Sequence, residues 1–330
     1  MKAARFSRLG GPEVLEIVDL PAPVAGPGEI RIRVKAAGAN ASDAKKRRGL
    51  MDAELPQTLG YEASGVVDQL GEGVTWVAVG DAVFGASPYG AAQAELAVLS
   101  DWAALPAGLD FTRAAALPAA AETAARGLDQ LGVGSGTTVL ISGASGSVGS
   151  AAVQLAVARG ARVIGTGSPR SYDALRALGA EPVGYGEGMS ATVRALSPGG
   201  VDRALDVAGS GILPELVELA GGAENVVTLA DAEGAAQSGV RFSRGDGGRA
   251  TYALGQVAQM AGEDRFSVAV GRTFRLDDIA EAHCALEAGD VRGKIVLLVH
   301  GTGDEPASRE RQAQTRARRS SKTTTSPSCS

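Results

Sequence analysis

The sequence predicts an α/β protein of two domains, a β-barrel and a doubly wound parallel sheet that is inserted into it. Three observations lead to this prediction. The chain has 330 residues, which is long for one hydrophobic core. Short strands separated by proline and glycine fill the first hundred residues, and a regular alternation of strands and helices follows them. Near residue 266 the β pattern returns, which indicates that the chain comes back to its first domain.

The first hundred residues have the pattern of a barrel or a partly open barrel. Residues 30–36, IRIRVKA, alternate apolar and basic side chains, as a half-buried strand does. Further short strands are predicted at residues 15–18, 65–70 and 81–84. An alanine-rich stretch begins near residue 109, and Pro118 within it is expected to bend a helix or to start a new one.

The middle of the chain has the order of a doubly wound sheet, because strands and helices alternate there. This order predicts parallel strands joined by crossover helices. The predicted strands are residues 138–142, 162–166, 181–185, 204–207 and 225–229, and the predicted helices are residues 150–159, 172–178, 191–196, 212–219 and 252–261. The returning β pattern covers residues 266–276, and a helix at 277–286 and a strand at 294–299 follow it.

These patterns predict the domain boundaries. The barrel domain is expected to comprise residues 1–112 and 263–300, and the inserted sheet domain residues 113–262. Residues 301–330 are rich in Ser, Thr, Arg and Gln and have almost nothing to bury. We expect them to form a disordered tail.

A glycine-rich loop lies between the first predicted strand of the sheet domain and its helix. It reads GASGSVG, from Gly143 through Gly146 to Gly149. Such glycines allow a tight turn, the approach of a pyrophosphate and close packing of the helix, and the N–H groups of the helix start attract phosphate. Its position between a strand and a helix favours dinucleotide binding by Gly143, Gly146, Ser147, Val148 and Gly149. The alternative is a tight turn without a ligand.

The segment after the second strand favours NADPH over NADH. NAD sites usually carry Asp or Glu there to hold the ribose hydroxyls. This chain instead has Ser168 and Arg170, and its first carboxylate, Asp173, falls in the following helix. An arginine with hydroxyl groups suits a 2′-phosphate. Alternatively, Arg170 is a solvated cation at the start of a helix.

Several segments together resemble the zinc-independent quinone oxidoreductase branch of the medium-chain dehydrogenase/reductase superfamily. The resemblance covers about residues 1–300. The segments that carry it are residues 37–43 (AGANASD), 55–67 (LPQTLGYEASGVV), 114–118 (AAALP) with Thr123 and Ala124, 143–149 (GASGSVG) and 293–297 (GKIVL).

The resemblance implies a GroES-like β-barrel domain with an inserted Rossmann domain, a cleft between them, and a homodimer. It also implies reduction of quinones, enones or enoyl thioesters by NADPH. By position, Thr123, the glycine loop, Ser168, Arg170 and Tyr185 resemble cofactor contacts. Asn40 resembles a residue of the cleft near the nicotinamide.

The sequence departs from the family at a tyrosine that many members place in the cleft, where this chain has Met51. Tyr61 is the nearest substitute by sequence, so Asn40 and Tyr61 are the predicted catalytic residues. Proton delivery by Ser87, Tyr89 or water is an alternative. Asn40 could hold a substrate oxygen or the nicotinamide, or it could be an ordinary turn residue before a helix.

The residues needed for a zinc site are missing from most of the chain. The first 280 residues contain no Cys and no His, and Glu62 alone cannot hold a catalytic zinc. His283 and Cys284 are adjacent on a predicted helix, so their side chains diverge by about 100° and make a poor pair of ligands. We therefore expect no metal, and an acceptor that takes hydride readily.

Charge and composition limit the other partners. The formal net charge of −5 gives no support for a nucleic-acid surface. No apolar run approaches the roughly 20 residues of a membrane span, and no signal peptide is apparent, so a cytoplasmic protein with a small-molecule substrate is expected.

Three functions therefore compete. The first is an NADPH-dependent reductase of quinones or α,β-unsaturated carbonyl compounds. The second is an enoyl thioester reductase of polyketide or fatty-acid metabolism. The third is an NADPH-binding protein with a non-catalytic role.

Overall fold

A computed structural model describes residues 1–52, 54–87, 90–245, 248–289 and 291–299. Residues 1–299 form one compact unit. The predicted tail at residues 301–330 and the alternative proton donor Tyr89 lie outside the described residues.

The amino-terminal part of the chain forms strands, as predicted. These strands are β1 (Lys2–Phe6), β2 (Glu16–Asp19), β3 (Ile30–Ala39), β4 (Gln57–Thr58), β5 (Glu62–Leu70), β6 (Ala82–Ala86), β7 (Leu96–Leu99) and β8 (Asp101–Ala104), and the helices are α1 (Ala41–Arg47) and α2 (Phe111–Ala114). All four predicted strands are present. The sequence analysis missed β1, β4, β7 and β8, which have at most five residues each and show little periodicity.

The middle of the chain forms a parallel sheet covered by helices. Its strands are β9 (Thr138–Ser142), β10 (Arg162–Thr166), β11 (Ala180–Val183), β12 (Arg203–Asp206), β13 (Val226–Thr228) and β14 (Arg241–Phe242), and its helices are α3 (Pro118–Gln130), α4 (Ser147–Ala158), α5 (Tyr172–Ala177), α6 (Met189–Leu196), α7 (Leu213–Ala220), α8 (Ala232–Ser238) and α9 (Ala253–Gly262). The strand order β11-β10-β9-β12-β13-β14 reverses its direction of growth at β9, which confirms the doubly wound sheet. Pro118 begins α3 and does not bend a helix, which was one of the two expectations for this residue.

The last elements return to the first sheet. They are β15 (Val270–Arg275), α10 (Ile279–Ala288) and β16 (Lys294–Leu298). β16 pairs antiparallel with β3, so that Ile295 lies opposite Ala39. The sheet that results has the order β15-β16-β3-β5-β6-β8. We call these elements with β1–β8, α1 and α2 the barrel lobe, and the parallel sheet with α3–α9 the sheet lobe. The exact domain boundaries stay a prediction.

Strand β3 organises the barrel lobe because it pairs on both edges. It pairs with β5 along one edge, and with β7 and then β16 along the other. Two register shifts against β5, after Arg31 and after Val34, bend the strand. Asn40 follows the end of this bent strand.

Two differences from the predictions have local causes. The glycine-rich stretch after residue 230 contains α8, whose start is capped by the Asp231 side chain accepting from the Gly234 N–H at 2.8 Å. The returning strand, predicted over residues 266–276, is confined to β15. None of the helices within the described ranges has the length and apolar character that crossing a bilayer demands.

A buried arginine joins α1 to α10. Its guanidinium donates from Nε to His283 Nδ1 at 3.3 Å, from Nη1 to the Gly10 carbonyl and from Nη2 to Glu287. This residue, Arg47, is fully buried, as is His283. The neighbouring Cys284 is exposed, so the side chains of His283 and Cys284 point in different directions, as the helix geometry predicted. Burial, together with the Arg47 charge, lowers the pKa of His283 to about 4, against a smaller opposing effect of Glu287.

This histidine should make the fold sensitive to acid. The unfolded chain binds a proton at His283 below pH 6.5, whereas the folded chain resists protonation until about pH 4. Stability from this group is therefore complete above pH 6.5 and falls by roughly 3 kcal/mol as the pH drops towards 4. Denaturant unfolding measured across this range should show the loss as a difference between the wild type and a variant without this imidazole, because Asp43, whose pKa burial raises to about 6, contributes a pH dependence of opposite sign to both proteins. The variant His283→Asn, whose side-chain oxygen can still accept from Arg47, should lose that part of the pH dependence. An identical pH slope in both proteins would contradict this account.

Candidate active site

Three loops meet at the carboxyl edge of the parallel sheet. They follow β9, β10 and β11, which are neighbours in the sheet. Because carboxyl ends of parallel strands share one edge, the predicted cofactor residues of these loops lie side by side. The loop after β9 contains the glycine motif, the loop after β10 contains Ser168 and Arg170, and the loop after β11 contains Tyr185.

The glycine loop has the shape its three glycines predict. Gly143 has a φ of 77°, a left-handed conformation that favours glycine. At Gly149 an added Cβ would lie 2.1 Å from the Gly143 carbonyl oxygen, so a side chain there would push α4 off the loop. At Gly146 an added Cβ would meet only that same oxygen, at 3.5 Å. Gly146 is therefore not required by packing within the protein, and its open surface fits the approach of a phosphate.

The start of α4 presents unpaired backbone donors. The first backbone hydrogen bond of the helix runs from Ser150 N to the Gly146 carbonyl at 2.8 Å. The N–H groups of Ser147, Val148 and Gly149 therefore have no acceptor within the helix. Two bonds fix the loop beneath them, from Gly143 N to Thr166 Oγ1 and from Ala144 N to the Thr166 carbonyl, both at 3.0 Å. This arrangement can bind the pyrophosphate of a dinucleotide.

The loop after β10 holds the predicted 2′-phosphate residues. Ser168 precedes a short turn of helix, which Ser171 Oγ closes by donating to the Ser168 carbonyl at 2.7 Å. Arg170 is exposed, and within the described part of the chain it has no hydrogen bond or ion pair. Tyr185, two residues beyond β11, has 69% of its surface exposed. All three side chains are accessible to a ligand at this edge.

Thr123 lies on α3, one helical turn beyond Ala119, whose N–H group contacts the barrel lobe. Its hydroxyl donates to Glu122 Oε2 at 3.3 Å. Glu122 in turn accepts from Arg126 Nε at 2.8 Å and from Ala250 N at 3.2 Å. Arg126 also donates to Ser243. The sequence analysis missed this network, which anchors the segment after β14 to α3.

A buried carboxylate joins the two lobes. Glu62, the first residue of β5, is fully buried. Its Oε1 accepts from Lys294 Nζ at 2.5 Å and from Asn40 Nδ2 at 3.0 Å, and its Oε2 accepts from Ala119 N, in the first turn of α3, at 2.7 Å. Lys294 also donates to Asn40 Oδ1. The predicted residue Asn40 therefore lies where the barrel lobe meets α3 at Ala119, which precedes Thr123 by four residues.

Gly38 leaves room for that carboxylate. An added Cβ at Gly38 would lie 2.2 Å from Glu62 Oε1 and 2.8 Å from its Cγ. The glycine of the AGAN segment thus has a packing reason that the sequence alone did not reveal.

Asp43 braces the turn that presents Asn40. Its carboxylate accepts from Asn40 N at 2.8 Å, from Gly60 N at 3.2 Å and from Gln93 Nε2 at 3.3 Å. Complete burial raises the pKa of Asp43 to about 6, although the hydrogen bonds from Asn40 and Gly60 and the Lys294 charge oppose the rise. The turn is therefore held by a carboxylate whose cost of burial the surrounding donors only partly offset.

Tyr61 is half-buried and lies outside this network. It shares no hydrogen bond with Asn40, Glu62 or Lys294, and the ammonium of Lys46 lies 5.5 Å from its ring centroid. Burial raises the pKa of Tyr61, and the negative charges of Asp43 and Asp52 add to the rise. Its phenol therefore keeps its proton at neutral pH.

Lys46 and Asp52 also line a cavity of about 460 Å³. Ser87, the other described candidate for proton delivery, is buried.

Lys294 is the site residue that the sequence analysis missed. The signal was present, because a lysine opens the otherwise apolar strand KIVLL. Its side chain is 5% exposed, and a charge that deep requires a partner.

Within the described ranges, no cluster of three or more His, Cys, Asp or Glu side chains has the arrangement of a metal site.

Comparison with known proteins places the chain in a family. A model of the alcohol dehydrogenase GroES-like domain matches residues 26–108, and a model named zinc-binding dehydrogenase matches residues 178–297. The 2-methylene-furan-3-one reductase of Solanum lycopersicum is 30% identical over 314 residues, which cover 90% of this chain and 79% of that protein. The structure of the quinone oxidoreductase from Coxiella burnetii is 32% identical, with a TM-score of 0.77 over 91% of this chain and 99% of that one.

Other relatives match in part. The quinone oxidoreductase of Pseudomonas aeruginosa is 40% identical over 56% of this chain, and the chain covers 58% of its length. A polyketide synthase protein of Streptomyces orinoci, NorB, is 40% identical over 54% of this chain, which spans only 8% of that protein. A mycobacterial structure in complex with NADPH is 29% identical, with a TM-score of 0.76 over 90% of this chain and 100% of that one.

Fold, loop geometry and relatives therefore agree on a two-lobed oxidoreductase of the NAD(P)-dependent type. The chain belongs to the quinone oxidoreductase branch of the medium-chain dehydrogenase/reductase superfamily. The predicted fold class, a GroES-like barrel with a Rossmann-type parallel sheet, is confirmed.

Two glycine variants should separate cofactor binding from packing. Gly146→Ala adds a methyl group that meets no atom of the protein closer than 3.5 Å, at a backbone conformation open to any residue. We expect its free energy of unfolding to change by no more than about 0.5 kcal/mol. Its affinity for NADPH, measured by fluorescence titration, should fall about tenfold or more if this loop holds the cofactor, because the methyl group would lie where the phosphate is expected.

Gly149→Ala is the matched control. Its methyl group would collide with the Gly143 carbonyl, so it should destabilise the fold by roughly 1–3 kcal/mol. Unchanged NADPH affinity in Gly146→Ala would show that this loop does not hold the cofactor.

Proposed function

We propose that the protein transfers a hydride from NADPH to a quinone or an α,β-unsaturated carbonyl compound without zinc. The observation that carries the proposal is the carboxyl edge of the parallel sheet. There the open glycine loop lies beside Ser168 and Arg170, and no carboxylate follows β10 in the position typical of NAD sites.

Arg170 and Ser168 support NADPH as the cofactor. An exposed guanidinium that has no partner among the described residues is available to a 2′-phosphate, to which it can donate two parallel hydrogen bonds. The N–H groups of Ser147 and Val148 would hold the pyrophosphate. Tyr185 would cover the nucleotide from the neighbouring loop. Thr123, on the helix that reaches the junction of the lobes, would contact the nicotinamide end.

The donor set of the chain supports a reaction without zinc. The first 280 residues supply no thiolate and no imidazole. Glu62, the carboxylate that contacts the Asn40 side chain, already accepts from Lys294, Asn40 and Ala119. Without a Lewis acid, the acceptor must be polarised by hydrogen bonds. Quinones and α,β-unsaturated carbonyl compounds accept hydride under these conditions, whereas simple carbonyl compounds do so poorly.

Bound NADPH supplies the hydride, and the protein orients the acceptor and polarises its carbonyl group. Asn40 would donate a hydrogen bond to the acceptor carbonyl at the junction of the lobes. Tyr61 retains its proton at neutral pH and is the proposed proton donor for enone acceptors.

A second candidate is an enoyl thioester reductase. The polyketide synthase relative favours it, because that match is 40% identical over more than half of this chain. The same residues would serve, since an enoyl thioester is also an α,β-unsaturated carbonyl compound. We further propose a cytoplasmic homodimer, by analogy with the family.

Consumption of NADPH with a panel of acceptors tests the function. The panel is 1,4-naphthoquinone, an alkenal and a crotonyl thioester. We expect turnover with the first two, with NADPH strongly preferred over NADH. Turnover of the thioester alone would favour the second candidate. Tight NADPH binding without turnover of any acceptor would contradict an enzymatic role, and one equivalent of bound zinc per chain would contradict the metal-free mechanism.

The variant Arg170→Ala is the control for cofactor choice. Loss of a charge-assisted contact with the 2′-phosphate should raise KM for NADPH about tenfold or more. KM for NADH should stay the same, because NADH lacks that phosphate. Equal use of both cofactors by the wild type would refute the role given to Ser168 and Arg170.

A further inference from the structure

The ammonium of Lys294 lies deep in the molecule and has two kinds of partner. Its side chain is 5% exposed, and the carboxylate of Glu62 balances its charge at 2.5 Å. The second partner, the Asn40 carboxamide oxygen, carries no charge. An ion pair alone would have satisfied the charge. The ammonium has three N–H donors, so the additional bond satisfies a second donor and ties the orientation of the Asn40 carboxamide to this charge.

The partners of Asn40 leave its amide only one orientation. An ammonium can only donate hydrogen bonds, and a carboxylate can only accept them. Asn40 therefore turns Oδ1 to Lys294 and Nδ2 to Glu62, where the N–O distance is 3.0 Å. A flipped amide would face an N–H group to the ammonium and an oxygen to the carboxylate, so that both contacts would become repulsive.

This orientation leaves one group of Asn40 without a partner. The carboxamide has two N–H donors, and Glu62 takes one of them. The other has no partner within the described part of the chain, and Asn40 is only partly buried. The side chain thus offers a donor, and not an acceptor, at the junction with α3.

We propose that Lys294 is a positioning residue that fixes the Asn40 amide so that an N–H group faces the carbonyl oxygen of the acceptor. This proposal rests on the proposed function. When hydride adds with its electron pair to the β carbon of an enone, the C=C π pair forms a new π bond between the α carbon and the carbonyl carbon, and the C=O π pair moves onto the oxygen as an enolate. A proton from Tyr61 or water then completes the α carbon, and NADPH leaves as NADP⁺. The fixed N–H group stabilises the charge on that oxygen, as a preorganised oxyanion donor does.

The amino-acid composition allows a direct test of the amide. The chain contains only two asparagines, Asn40 and Asn225. Asn225 donates to the Ala220 carbonyl at 2.9 Å and accepts from Arg203 at 3.0 Å, so it is an internal control that lacks contact with the site. Deuterated protein labelled with ¹⁵N only at asparagine should give two pairs of side-chain amide signals in an NMR spectrum.

Removal of the ammonium should change only one of those pairs. In Lys294→Met the Asn40 signals should shift, and their protons should exchange faster with water, whereas the Asn225 signals should not move. Lys294→Arg keeps the charge and donors and should restore the wild-type pattern. Because Lys294→Met leaves the buried Glu62 carboxylate without a cation to balance its charge and could unfold, Glu62→Gln combined with Lys294→Met supplies a charge-balanced second variant. Unchanged Asn40 signals in the folded variants would overturn the proposal, whatever the activity.

A double-mutant cycle separates positioning from general stability. The measured quantity is the rate of a single turnover of the enone. It is measured at saturating NADPH and divided by the concentration of protein that has NADPH bound. Asn40→Ala should slow it about 10- to 100-fold, and Lys294→Met should slow it in the same direction. The combined variant should be no slower than Asn40→Ala, because Lys294 acts through Asn40. Multiplicative slowing would overturn the proposal. A wild type without turnover would instead defeat the proposed function, and the amide signals alone would then decide the role of Lys294.

Discussion

A charge buried within a protein must be paired, and the ion pair of Glu62 with Lys294 is the contact on which the candidate site depends. Breaking such a pair by removing one partner costs about 3–5 kcal/mol. Here the pair also fixes geometry, because Glu62 accepts from Asn40 and from the first turn of α3. One carboxylate thus contacts both the Asn40 amide and the helix that carries Thr123.

The pair also explains why the chain must return to its first sheet. Lys294 and Asn40 are 254 residues apart and meet only because β16 pairs with β3. The sheet lobe inserted between them supplies α3, whose Ala119 N–H completes the carboxylate's set of donors. The topology therefore brings the start of α3 and the polar residues of the barrel lobe to one junction.

Local signals predicted much of this molecule, and long-range contacts account for what was missed. The strands at residues 138–142 and 162–166 were predicted with the bounds that the structure gives, because buried parallel strands bounded by glycine are distinctive. The glycine loop was found because its spacing has a steric reason. The roles of Lys294 and Gly38 depend on Glu62, which is distant from Lys294 in sequence and adjacent to Gly38 only through strand pairing. No periodicity reports such contacts, although a lysine in an apolar strand is a usable warning.

Hydrogen exchange at the start of α3 tests directly whether this ion pair joins the two lobes. Glu62→Met combined with Lys294→Met replaces the pair by apolar side chains of similar size, a change that a fold can tolerate. The account predicts that the amide of Ala119 then exchanges faster, while amides of β12 and β13 keep their wild-type rates. Wild-type exchange at Ala119 in the folded double variant would contradict it.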